Sequence, residues 1–226
     1  LGRSVNLDVL IQDYATARQK GDQEERRWAS QHLNIEIGLA LHSNRWNGAD
    51  HWERAASHGL TLDDIIERCE VCTVGIDGGG LDDLLGLVVL GRERGTKRWL
   101  AWAHAWADRG VLVLRKEIAA RLQDFERSGD LTFVDIGETE SGANDDVVEV
   151  ADVVERLFKA GKLPDKGAVG LDPVGVTAIV DELELRGIPN EMLQGVPQGY
   201  RLSGVIKGTA RKLKDGEGNY LWQPGT

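Results

Sequence analysis

The spacing of apolar positions changes character near residue 70. Before it, Leu7, Leu10, Ile11, Tyr14 and Ala15 recur at helical intervals, with Ser4 or Asn6 placed to cap. Gly21 interrupts this pattern, and a charged stretch from Asp22 to Arg27 leads into Trp28. Trp46 and Trp52 follow among polar residues. With so few strand signals, residues 1–70 read as a mostly helical and irregular arm that packs on another domain rather than as a core of its own.

From residue 71 the period shortens. Val71 to Ile76 is a β-rich run that ends in Asp77-Gly-Gly-Gly80, and Leu84 to Leu90 is a second. Arg94-Gly-Thr-Lys97 makes a turn into a third, Trp99 to Trp106, so an antiparallel three-strand meander is expected. Leu112, Arg115, Ile118, Ala119, Leu122 and Phe125 then share one helical face, and Gly129 stops that helix. Leu131 to Ile136 predicts a strand. Val147, Val150, Ala151, Val154 and Phe158 predict a helix closed by Gly161. Ala168 to Leu171 predicts a strand ending at Asp172, and Ile179, Val180 and Leu183 a helix closed by Gly187. A further short segment precedes a basic helix around Val205 to Leu213. A meander followed by alternating helices and parallel strands is the order of an α/β, RNase H-like mixed β-sheet over residues 71–226.

Composition narrows the function. Of 226 residues, 41% are hydrophobic and 28% charged, which places the chain among globular proteins. No apolar run approaches the roughly 20 residues of a membrane span, and the first residues lack the pattern of a signal peptide. The chain begins at Leu1 rather than Met, as a piece of a longer protein would. A net charge of −10 argues against a protein that coats nucleic acid, but not against a nuclease whose acids are neutralised by metal. Cys69 and Cys72 are too few for a four-ligand zinc site and read as small residues entering a strand. Without a disulfide framework, the cytoplasm is the expected compartment.

Two aspartates stand out. Asp77 ends the first strand and Asp172 a later one, and each precedes Gly or Pro. Carboxyl ends of neighbouring strands converge on one edge of an α/β sheet. Two carboxylates held together repel, a cost that divalent cations offset. Phosphodiester hydrolysis uses two such ions about 3.5–4 Å apart, and the glycines after Asp77 leave room for phosphate or water. Taken singly, either aspartate is equally a turn former or a helix cap.

Four segments carry a resemblance. Ala29-Ser-Gln-His-Leu-Asn34, Val74-Gly-Ile-Asp-Gly-Gly-Gly-Leu-Asp-Asp-Leu-Leu-Gly-Leu-Val-Val-Leu-Gly91, Val169-Gly-Leu-Asp-Pro-Val-Gly175 and Gln198-Gly-Tyr-Arg-Leu-Ser-Gly204 resemble the large terminase subunits of tailed phages and prophages. In that family an N-terminal ATPase moves DNA into the procapsid, and a C-terminal RNase H-like nuclease cuts the concatemer. The resemblance makes Asp77 the first metal-binding acid and Asp172 the second, with Mg²⁺ or Mn²⁺ as cofactor and two ions expected. It makes double-stranded DNA the substrate, and the small terminase subunit and portal the partners of the full-length protein, in the bacterial host cytoplasm. It makes residues 1 to about 34 the end of the ATPase half. The isolated domain is expected to be a monomer.

The chain departs from the family twice. No G-x-x-x-x-G-K-[ST] occurs, so ATP hydrolysis is not expected. The family's third acid follows the basic helix, and the chain ends at Thr226 before it. Asp215 and Glu217 lie in that region, but their spacing does not support the role. Asp82, Asp83 and Asp135 are further candidates for the metal site, each also explained as a turn residue. Asp145 and Asp146 suit a helix N-terminus, and His104 suits packing. Arg201, Lys207, Arg211, Lys212 and Lys214 form an acid-free basic stretch that suits either DNA-backbone contact or a solvated face. Two rivals remain. A sugar-kinase or actin-like ATPase shares Gly75-Ile-Asp-Gly-Gly-Gly80, but Leu81-Asp-Asp83 follows where phosphate-binding residues belong. A catalytically incomplete prophage remnant would only bind DNA or dock.

Overall fold

The computed structural model describes residues 7–21, 25, 28–29, 32, 46, 48–80, 83–136, 145–172, 175–197, 202–215 and 220–222. The chain divides into two compact units, 1–50 and 51–226. The second unit therefore begins some way ahead of the residue-70 break in the sequence pattern. In the first unit, α1 (Leu7–Gln19) carries Tyr14, whose hydroxyl donates to Glu25 Oε1 at 2.6 Å and whose ring lies 4.8 Å from that of Trp28.

Twenty residues read as part of the arm belong to the second unit instead. After α2 (Ala49–Trp52) and a 3₁₀ turn at Glu53–Ala55 comes α3 (Leu62–Arg68). Thr61 starts α3 with a capping box: its Oγ1 accepts from the Asp64 N–H, and Asp64 Oδ2 accepts from the Thr61 N–H. Leu60, Leu62 and Ile65 then sink into the main core.

The sheet consists of β1 (Cys69–Gly78), β2 (Leu84–Glu93), β3 (Trp99–Asp108), β4 (Leu131–Val134), β5 (Val169–Leu171), β6 (Leu193–Gly195) and β7 (Tyr220–Trp222). The order is β4-β3-β2-β1-β5-β6, with β7 also on β3. The meander β1-β2-β3 is antiparallel and every other pairing is parallel, so β2 alone runs against the rest. This is the RNase H-like mixed sheet that the sequence order implies.

Alternation along the strands makes two faces. Val74, Ile76, Leu87, Val89 and Val169 lie on the face covered by α6 (Asp145–Lys159), α7 (Thr177–Leu185) and α3, where the main core forms. The other face carries Gly75, Asp77, Gly86, Val88, Ala103 and Ala105. Part of it is covered by α4 (Val111–Leu114) and α5 (Ala119–Ser128) through Leu122, Leu131 and Phe133. The single helix expected over Leu112 to Phe125 is thus two segments, broken between Leu114 and Ala119, with Val113 and Leu114 exposed. Gly129 ends α5 in the left-handed conformation (φ 82°), and the following Asp130 N–H donates to Phe125 O. The basic helix α8 (Ser203–Lys214) completes the unit, with Leu213 buried. Among the described residues no helix is long and apolar enough to cross a membrane.

Candidate active site

Register brings the two aspartates together. β1 and β5 are parallel neighbours in which Ile76 pairs with Leu171; Asp77 is the next residue of β1, and Asp172 is the first residue after β5. Neighbouring strands lie about 4.8 Å apart. Ile76 and Leu171 are buried in the main core, whereas Asp77 and Asp172 line a cleft on the opposite face. The convergence comes from strand order, because β5 docks directly against β1.

The turn after Asp77 is built to leave quickly. Gly78, Gly79 and Gly80 have φ of 84°, 112° and 137°, and the Gly79 N–H donates to Leu84 O at 3.0 Å. A Cβ on Gly78 would stand 2.2 Å from Leu84 O, so glycine is required there for backbone proximity as well as for conformation.

The cleft has a volume of about 870 Å³. Its floor includes Gly75, Gly86, Val88 and Ala103, and its walls include Trp52, Phe125 and Leu131. Sequence reasoning did not single out Trp52 or Phe125 for this role. Phe125 carried only the signal of a helix stripe, and nothing local places Trp52 beside the sheet.

The remaining candidates separate. Asp83 also lines the cleft, and its Oδ1 accepts from the Leu84 N–H at 2.9 Å, a turn-forming bond. Asp135 follows β4, three strands from β1. Its side chain is 89% exposed and lies 4.0 Å from Arg109 Nε, away from the two aspartates. Asp146 is buried and its Oδ1 accepts from the Val147 N–H at the start of α6, as a helix-terminal acid would. Lys207, Arg211, Lys212 and Lys214 are exposed on α8, and Arg211 lies 3.8 Å from Asp215. Asp82, Arg201 and Glu217 lie outside the described residues.

His104, on β3, also lines the cleft and is stacked on Trp102, with Nε2 2.9 Å from Thr132 Oγ1. Burial pulls its pKa below the usual histidine value and favours the neutral ring. Cys69 and Cys72 are free and buried, and the Cys72 thiol is pushed up by its hydrogen bond with Cys69 and by burial. Such a thiol is poorly nucleophilic.

No family model matches the chain, and no curated protein does. A solved structure does match: the large terminase of bacteriophage HK97, with a TM-score of 0.57 and 15% sequence identity, over 100% of this chain and 43% of that one. The fold is terminase-like. The chain spans less than half the length of that terminase, and at this identity the likeness is one of fold.

Chemically, the site offers two adjacent carboxylates in an open cleft. Mg²⁺ is often held by one or two carboxylates while keeping several waters, and the pair Asp77 and Asp172 fits that requirement. Among the described residues no group of three or more His, Cys, Asp or Glu gathers to hold an ion. A cation here would therefore complete its shell with water and substrate oxygens.

Proposed function

We propose that this chain is the metal-dependent DNA endonuclease domain of a phage large terminase, with Asp77 and Asp172 as its catalytic carboxylates and double-stranded DNA as substrate. The observation that carries the reading is the Ile76–Leu171 pairing, which sets the two acids side by side on the cleft face. The terminase-like fold supports it.

In this reading Asp77 and Asp172 hold Mg²⁺ or Mn²⁺ ions. Bound divalent cations supply a water of lowered pKa and charge stabilisation for the leaving oxygen. The protein's part is positional. β1 holds Asp77 and the end of β5 holds Asp172, and Gly78 to Gly80 turn the chain away so that a phosphate can approach. The exposed Lys207, Arg211, Lys212 and Lys214 of α8 attract the DNA backbone without reading sequence.

A second reading is favoured by one observation, the lack of a third clustered acid among the described residues. It makes the domain a DNA-binding or docking remnant that does not cut. Calorimetric titration with Mn²⁺ separates the two. The nuclease reading expects saturable binding that Asp77→Asn and Asp172→Asn each weaken at least about 10-fold, since losing even an outer-shell partner of a metal ligand costs that much. A parent protein that takes up no Mn²⁺ at millimolar concentration favours the remnant.

A further inference from the structure

We propose that the cleft beside Asp77 and Asp172 receives an unstacked base of the DNA strand being cut, with Trp52 and Phe125 as its stacking partners. The proposal rests on the nuclease reading above and names the part of the substrate that this surface takes.

The lining chemistry points to a base rather than to backbone. The two acids lie where β1 and β5 meet the cleft. Beyond them the floor is Gly75, Gly86, Val88 and Ala103, and the walls include the two aromatic side chains. Among the described residues, none that lines the cleft is Lys or Arg. A run of phosphates laid along it gains no charge neutralisation, whereas the flat, uncharged face of a base gains stacking and burial. Asp130, on the far side near β4, adds an acceptor suited to an exocyclic amino group. Its carboxylate also accepts from Ser128 Oγ at 2.6 Å, which holds it in place.

Size and floor agree with such an occupant. The 870 Å³ volume falls within the range of roughly 300–1,000 Å³ typical of small-molecule sites. From β1 to β4 the sheet crosses three strand spacings, about 14 Å, enough for one or two nucleotides. The missing side chains on the floor are not demanded by the protein's own packing. A Cβ on Gly75 would meet nothing within 4 Å, and one on Gly86 would meet only Asp77 O at 3.7 Å. Neither glycine has a positive φ. The cleft is also continuous with the carboxylates, so a nucleotide whose phosphate lies at Asp77 and Asp172 has its base within reach of the apolar walls. Extruding a base costs a few kcal/mol, which stacking on an aromatic ring offsets.

Permanganate oxidises thymines that have an open stacking face, and extruding a base opens one face on each neighbour left in the duplex, so it reads the extrusion directly and without turnover. The probe is a thymine-bearing duplex bound in Mg²⁺ to Asp77→Asn, which in this account holds DNA uncut. The thymines flanking the extruded base are expected to become several-fold more reactive than in free duplex. Adding Trp52→Ala or Phe125→Leu is expected to abolish that reactivity and weaken binding roughly 5- to 100-fold, the scale of one base–aromatic stack. Gly75→Val guards against misfolding: a valine suits a strand and its Cβ has open space, so melting temperature is retained while the floor is filled and the reactivity lost. Bound DNA whose thymines react as in free duplex overturns the cleft proposal alone. A protein that binds no DNA overturns it together with the nuclease reading.

Discussion

The ammonium of Lys212 lies 4.5 Å from the centre of the Trp99 ring, and the guanidinium of Arg92, paired opposite Trp99 across β2 and β3, lies 4.6 Å from the same ring. Trp99 therefore ties the last turns of α8 to the sheet. Two cation–π contacts at about 0.5–1 kcal/mol each, plus lost packing, put the cost of Trp99→Ala near 2 kcal/mol, measurable by urea denaturation. Lys207 and Lys214 are exposed on the same helix. If α8 tracks the DNA backbone, Lys207→Ala and Lys214→Ala each lower the slope of log affinity against log salt by about 1 and weaken all sequences alike. Unchanged slopes would remove α8 from the DNA-binding surface.

Gly78 supports a sharper expectation about the site. Its φ of 84° strains any other residue, and an added Cβ would meet Leu84 O at 2.2 Å. Gly78→Ala should cost about 1–3 kcal/mol of stability and displace the neighbouring Asp77, so any metal-dependent activity falls more than global stability alone explains. Unfolding curves and cleavage rates on the same preparation check this. A variant with parental stability would mean that the turn relaxes freely.

Much of this was legible in the sequence, for identifiable reasons. The meander announces itself because Val74, Ile76, Leu85, Leu87 and Val89 alternate with residues of the other face. Asp77 and Asp172 are marked because each ends an apolar run just before a turn. Strand order was not legible. Nothing local says that β5 docks on β1 while β4 docks on β3, yet this order brings Asp172 beside Asp77 and sends Asp135 to the far side. The segment from 51 to 70 was misjudged for a different reason. Its capping signal, Thr61-Leu-Asp-Asp64, is present, but the helix that follows is only 7 residues and offers too little periodicity to reveal its buried face. The break between α4 and α5 was hidden because Leu112, Ile118 and Phe125 keep helical spacing across it and pack on one cluster.

Glu93 gives the fold an acid-sensitive tie. It is buried, and its Oε1 accepts from Arg68 Nε at 2.9 Å and Nη2 at 2.7 Å, while Oε2 accepts from Thr96 Oγ1. The Thr96 hydroxyl first, then the Arg68 guanidinium, hold its carboxyl below the usual glutamate value against the opposing effect of burial. A carboxylate with a depressed folded-state pKa contributes stability above its unfolded value, and that stability is lost as pH falls through the folded value. Glu93→Gln should therefore destabilise by about 1–3 kcal/mol near neutrality. Its deficit relative to the parent should shrink as pH falls from about 6 to about 3. Urea denaturation of both proteins across that range is the check, and a constant deficit would assign Glu93 a purely steric role.

In the proposed function, Asp77 and Asp172, set side by side by the Ile76–Leu171 pairing, form one metal-dependent cutting site. Incubation of supercoiled plasmid with the chain in Mn²⁺ decides it, with EDTA and the variants Asp77→Asn and Asp172→Asn alongside. The parent is expected to give nicked and linear product, none in EDTA, and each variant a loss of at least about 100-fold, the scale of removing a group that stabilises the transition state. Cleavage that persists in either variant, or a well-folded parent that leaves the plasmid supercoiled, would contradict it.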